Sequence, residues 1–174
     1  SSWQPDEDLF IEYFNQHPEV KLVIAPHVID ENHLVEIIRK LKRPYVRYTR
    51  ADEKNVRKAD CLIIDCFGLL SSIYRYGEIA YIGGGFGVGI HNTLEAAVYG
   101  IPVIFGPKYQ KFQEAIQLLE AKGAFSVKDY EELKTLIDRM LTDEVFLRES
   151  GMNASNYVTG NAGATDKIMS MINF

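Results

Sequence analysis

Residues 79–108 read IAYIGGGFGVGIHNTLEAAVYGIPVIFGPK. A short apolar run, Ile79 to Ile82, stops at Gly83, Gly84 and Gly85, and Gly87 and Gly89 follow at alternate positions. Asn92 or Thr93 is placed to cap a helix carrying Glu95 in its first turn and reaching about Tyr99. Gly100 stops that helix, and Pro102 to Phe105 forms a second buried strand ending at Gly106-Pro107. Strand, glycine loop, capped helix, glycine stop and strand make a βαβ unit. Such a unit has a chemical use. Glycines let backbone N–H groups approach a ligand, and a helix start adds unpaired N–H groups with a positive dipole end. A phosphate, a carboxylate or a sugar hydroxyl all suit that place at the carboxyl end of a strand.

Counting removes two well-known glycine motifs. The dinucleotide fingerprint needs glycines at relative positions 1, 3 and 6, and no start within 83–89 supplies all three. The phosphate loop of nucleoside triphosphatases needs Gly-Lys-Ser/Thr, and Gly89 is followed by Ile90-His91.

Outward from this unit, apolar runs alternate with helical spacing. Strands are expected at Lys21–Ala25, Tyr45–Tyr48 (nearer an edge), Cys61–Ile64 and Ala124–Val127. Helices are expected at Pro5–Gln16, Asp30–Leu41, about Leu69–Tyr76, Phe112–Ala121, Asp129–Leu141, Glu144–Tyr157 and about Ala164–Ile172. Asp6, Glu7 and Asp8 read as a solvated acidic helix start behind Pro5, and residues 50–60 as a solvated connection. This alternation implies an α/β fold, a Rossmann-like parallel sheet with helices on both faces.

With 174 residues and 47% hydrophobic content, one core and one domain over residues 1–174 are expected. A net charge of −5 argues against a nucleic-acid surface. No apolar run is long enough to span a membrane, and no signal peptide opens the sequence. Cys61 and Cys66 lack metal or redox spacing and read as reduced thiols of a cytoplasmic protein. The four histidines, His17, His27, His33 and His91, show no metal-ligand spacing, and no Gly-x-Ser-x-Gly elbow is present.

The stretch GGGFGVGIHNTLEAAVYGIPVIFGP resembles the donor-binding motif of the 3-deoxy-D-manno-octulosonic acid (Kdo) transferases: a glycine pair, a variable loop, Gly-x-His-Asn-x-Leu-Glu, a helix, then Ile-Pro-Val and Gly-Pro. Ala25-Pro26, Asp65-x-x-Gly68 and Asn161-x-Gly163-Ala164 extend the resemblance over most of the chain. It departs at Gly68-Leu69-Leu70, where family members tend to have Gly-Glu-Leu, and at Pro26-His27, where they tend to have an Arg-His pair after the proline.

The resemblance implies the carboxyl-terminal, CMP-Kdo-binding half of a two-domain (GT-B type) glycosyltransferase. The donor is then expected on Gly83, Gly84, Gly85 and Phe86, with His91, Asn92, Glu95 and Lys108 around it. Glu95 would accept hydrogen bonds from the donor ribose, His91 would donate to a phosphate or the sugar carboxylate, and Lys108 would add positive charge. No metal and no cofactor beyond the donor substrate CMP-Kdo is expected. The catalytic base and the site for a lipid A precursor are expected in an amino-terminal domain, and the complete protein at the cytoplasmic face of the inner membrane. The resemblance also aligns Ser1-Ser2-Trp3 with the loop after a central first strand, which the sequence does not contain. Two rivals remain open: the donor-binding domain of a UDP-sugar transferase, and a non-catalytic domain that senses a nucleotide or sugar phosphate.

Overall fold

A computed structural model describes residues 1–161. The expected helix over 164–172 and the Gly163-Ala164 pair lie outside the described residues. In chain order the elements are α1 (Gln4–Gln16), β1 (Leu22–Ile24), α2 (Glu31–Lys40), β2 (Tyr45–Arg47), α3 (Glu53–Val56), β3 (Cys61–Ile63), α4 (Leu70–Ile73), β4 (Ala80–Ile82), α5 (Leu94–Ala97), β5 (Val103–Phe105), α6 (Gln113–Glu120), β6 (Ala124–Ser126), α7 (Tyr130–Thr142) and α8 (Glu144–Asn161). Single 3-10 turns cover Tyr48–Arg50 and Tyr74–Tyr76. The connection over 50–60 is thus mostly exposed, as expected, but contains one helical turn whose start is capped by Asp52.

All strand pairings are parallel, and they form two three-stranded ladders, β1-β3-β2 and β4-β5-β6. The strand at Tyr45 takes the edge of its ladder, as its alternation with Arg47 suggests. Among the described residues no strand lies between β1 and β4. Ser1-Ser2 lies there. Ser2 N–H donates to Ala25 O (3.0 Å) and His27 N–H to Ser2 O (2.9 Å), while Gly83 N–H donates to Ser1 O (3.1 Å). Two residues thereby tie the carboxyl ends of both ladders together.

Each ladder has its own core. Ile11, Phe14, Ile24, Leu34, Ile37 and Ile63 pack around the first. Ile82, Val103, Phe105, Leu118 and Ala154 pack around the second, where β5 is buried along its whole length as an internal parallel strand should be. α1 runs on from Ser1-Ser2 and reaches both halves: Phe14 lies in the first core, while Phe10 meets the Tyr81 ring edge-on (5.6 Å between centroids).

The helix after the glycine loop is shorter than its sequence suggests. Beyond Ala97 the chain tightens into i→i+3 bonds, Tyr99 N–H to Ala96 O and Gly100 N–H to Ala97 O, and Gly100 leaves the turn at φ +72°. The end of the turn is also packed from α8. Gly151 of α8 lies against the Gly100 carbonyl so closely that a β-carbon on it would stand 2.1 Å from that oxygen. A helix of four residues carries a weak dipole, so dipole stabilisation of an anion is smaller here than the sequence implies.

Asp65 and Cys61 are structural. Burial raises the Asp65 pKa, but hydrogen bonds from Thr49 Oγ1 (2.6 Å), Thr49 N–H (2.9 Å) and Arg47 Nε (2.8 Å) outweigh it and hold the carboxyl at about 2. That carboxylate fastens the end of β2 to the end of β3. Cys61 is buried in the first core, and burial pushes its thiol up to about 12, so it is inert; Cys66 is half-buried, and both are free. No described helix is long and apolar enough to cross a membrane.

Candidate functional site

The glycine loop leaves β4 and folds back on itself. Gly87 and Gly89 N–H groups both donate to Gly84 O (3.0 Å each), and His91 N–H donates to Gly83 O (3.1 Å). Gly84 and Gly89 have positive φ, +96° and +109°. Contact as well as dihedral demands glycine. A β-carbon on Gly84 would lie 2.2 Å from Gly89 O, and one on Gly85 would lie 2.6 Å from Gly106 Cα and N. Backbone therefore meets backbone where the loop crosses the end of β5, and Lys108 N–H seals the crossing on Gly85 O (2.9 Å).

The loop's N–H groups are not all free for a ligand. Gly83 N–H is taken by Ser1 O, and Gly84 N–H by the Asp6 carboxylate (Oδ2, 2.8 Å). Among the described residues, Gly85, Phe86, Val88, Ile90, Asn92 and Thr93 keep N–H groups without a protein partner. Of the loop residues expected to hold an anion, Gly85 and Phe86 therefore have available donors, while Gly83 and Gly84 shape the turn.

Asp6 was not expected here. The acidic start of α1 reads as solvated in the sequence, yet Asp6 and Glu7 are fully buried and only Asp8 is exposed. The correction has a topological reason. Ser1-Ser2 lies across the carboxyl ends of β1 and β4, so the first turn of α1 faces inward over the glycine loop. Asp6 accepts from Trp3 N–H (3.0 Å), Gly84 N–H (2.8 Å) and Tyr81 Oη (3.2 Å). Burial nevertheless raises its pKa, with the two backbone donors and Tyr81 opposing. Glu7 accepts from Ser2 Oγ (2.9 Å) and faces His33 Nε2 (3.1 Å). A sequence signal for this existed: acids in the first turn of a helix that follows the central strand position start at the same sheet edge as the glycine loop.

The remaining expected residues do gather around the loop. Asn92 acts as the local cap, its Oδ1 accepting from Leu94 N–H (3.0 Å), while its Nδ2 donates to Glu95 Oε1 (3.2 Å). Glu95 is half-buried with its second oxygen unpartnered among the described residues. Lys108 is exposed and its Nζ approaches Gly87 O (3.4 Å), so its charge sits beside the loop. His91 is half-buried, and burial lowers its pKa. It lines a cleft of about 360 Å³ with Asn92, Thr93, Phe112 and Glu114. His27 and Trp3 stand next to it, the Trp3 and His27 rings stacked at 4.4 Å. Among the described residues, no cluster of three metal-ligating side chains occurs.

This geometry can hold an anion on backbone donors flanked by a lysine, and a polyol on a carboxylate one turn later. Comparison with known proteins agrees in part and adds a family. No family model matches the chain. It is 35% identical over 135 residues to the 3-deoxy-D-manno-octulosonic acid transferase of Aquifex aeolicus (strain VF5), covering 76% of this chain and 37% of that protein. A bifunctional glycosyltransferase/methyltransferase of Fusobacterium nucleatum is 27% identical over 164 residues, covering 88% of this chain and 26% of its own length. The chain thus spans well under half of the relatives it matches. Among solved structures, the C-terminal CMP-Kdo binding domain of WaaA from Acinetobacter baumannii superposes with a TM-score of 0.77 at 19% identity over 91% of this chain and 86% of that one. The C-terminal domain of a glycosyl transferase group 1 family protein from Francisella tularensis gives 0.60 at 16% identity, over 90% of this chain and 78% of that one. At those identities the two structures speak to the fold.

Proposed function

From the premise that the chain belongs to the 3-deoxy-D-manno-octulosonic acid transferase family, we propose that it is the domain that binds the CMP-Kdo donor of that reaction. The observation that carries the reading is the Asn92–Glu95 pair directly after a loop with unspent N–H groups. Gly85 and Phe86 N–H groups, with Lys108 beside them, suit the phosphate. The free oxygen of Glu95 suits the vicinal hydroxyls of ribose. In the transfer step an acceptor hydroxyl attacks the anomeric carbon of the sugar, the bond to the phosphate oxygen breaks, and CMP leaves. Fixed N–H groups that meet the growing charge on that phosphate lower the barrier, because they need no reorganisation as it leaves.

Of the acids at the loop, Asp6 and Glu7 are buried and engaged, and Glu95 is given to ribose in this reading. We assign the base and the lipid A precursor to an amino-terminal half, working at the cytoplasmic face of the inner membrane. Calorimetric titration of the 174-residue chain with CMP, UDP and NAD tests the donor. Saturable binding with cytidine preferred is expected, and no Kdo-lipid product until an amino-terminal half is added. Uridine preference would instead assign another sugar nucleotide.

Glu95→Ala separates ribose binding from simple helix stabilisation. Losing charge-assisted hydrogen bonds of about 1.5–3 kcal/mol should weaken CMP binding roughly 10- to 150-fold, with little change in unfolding because Glu95 is only half-buried. Unchanged affinity would leave Glu95 as a partner of Asn92 alone.

A further inference from the structure

At the edge of the same site three rings are built into one another. Trp3 Nε1 lies 3.0 Å from His91 Nε2, with the two ring planes 7° apart and their centroids 6.4 Å apart. That is an in-plane contact, with the indole N–H pointing along the imidazole lone pair. His27 covers both rings, at 4.4 Å and 27° from Trp3 and at 4.9 Å and 22° from His91. The indole nitrogen can only donate, and a neutral imidazole has one donor and one acceptor nitrogen. Nε2 must therefore be the acceptor, and the proton must sit on Nδ1. In water a free neutral imidazole favours the opposite tautomer, so the contact selects the less common form.

Resting on the donor-binding reading above, we infer that Trp3 is a positioning residue for His91: by occupying Nε2 it fixes the Nδ1–H tautomer, so that His91 offers the bound sugar nucleotide a hydrogen-bond donor. Nδ1 makes no hydrogen bond to any described residue, while the side chain lines the cleft beside Asn92 and Thr93. A neutral donor there suits a phosphate or carboxylate oxygen. Protonating His91 would set two donors head to head against the indole, and burial opposes the same step. The role of His91 in the site is thus written 88 residues away, in the turn before α1.

Nitrogen-15 NMR of the histidine rings in the ligand-free chain reads the tautomer directly. His91 is expected as Nδ1–H in the wild type and shifted towards Nε2–H in Trp3→Phe, which keeps an aromatic ring beside His27 and removes the indole N–H together with its five-membered ring. CMP affinity in Trp3→Phe should fall roughly three- to tenfold, as for one neutral hydrogen bond. Two isosteres give an independent check. His91→Asn places an amide near Nδ1 and should keep more affinity than His91→Gln, whose amide lies near Nε2. An unchanged tautomer in Trp3→Phe, or glutamine outperforming asparagine, overturns the proposal. A wild-type chain that binds no CMP sinks the donor-binding reading instead, and the ligand-free spectrum tells the two failures apart.

Discussion

Gly85→Val is expected to destabilise the domain by about 3 kcal/mol or more and to abolish CMP binding, whereas Gly87→Ala should change stability by less than about 0.5 kcal/mol. The two positions differ by two residues and by everything around them. A β-carbon on Gly85 would stand 2.6 Å from two backbone atoms of Gly106, and neither can rotate away as a side chain could. Gly106 closes a strand buried along its whole length, so the loop must lift off instead. Lifting it breaks Lys108 N–H to Gly85 O and carries Phe86 away from its seat on Gly106. Around Gly87 nothing lies within 4 Å of an added β-carbon, and its φ is not in the left-handed region. Thermal unfolding and CMP titration of both variants check this. A Gly85→Val chain that melts like the wild type and still binds CMP would mean that the loop does not rest on Gly106.

That contrast marks how far the sequence could be read. The strands at Ala80 and Val103 were legible because each is a short apolar run closed by glycine or Gly-Pro, and parallel strands buried on both faces read that way. The gathering of His91, Asn92, Glu95 and Lys108 was legible too, since all sit at the carboxyl ends of two paired strands. The reason for the glycines was not. In the sequence they suggest room for a ligand, while in the structure Gly83, Gly84 and Gly85 leave room for Ser1, Gly89 and Gly106. Such contacts join residues distant along the chain, and spacing carries no trace of them. The packing of Gly151 of α8 against the Gly100 carbonyl at the end of α5 is a further case. The burial of Asp6 could be read only from topology, because in composition a first-turn acid behind proline looks the same whether water or a glycine loop lies over it.

Asp6→Ala should cost about 3 kcal/mol, because it strands the N–H groups of Trp3 and Gly84 and the hydroxyl of Tyr81 in a buried place, at about 1–3 kcal/mol for each left unmet. CMP affinity should fall with it, since Gly84 N–H is the pin that holds the loop at its +96° turn. Asp6→Asn should behave differently. Its amide oxygen can accept both backbone donors where Oδ2 does now, and its NH2 group can donate to a Tyr81 hydroxyl turned to accept. A protonated Asp6 has the same pattern, with its proton on the oxygen facing Tyr81. The sign of the pH dependence follows. Burial raises the folded pKa above the ordinary value of 3.8. The part of the Asp6 contribution that depends on its proton is then complete below about pH 4 and is lost as pH rises through the folded pKa. Asparagine cannot ionise and keeps it, so Asp6→Asn should gain on the wild type as pH rises above about 4 and hold its advantage at neutral pH. Urea unfolding of the wild type and both variants across that range measures the difference. If asparagine proves as costly as alanine at neutral pH, the loop is held by a full negative charge on Asp6, and the balance between burial and the two backbone donors lies the other way.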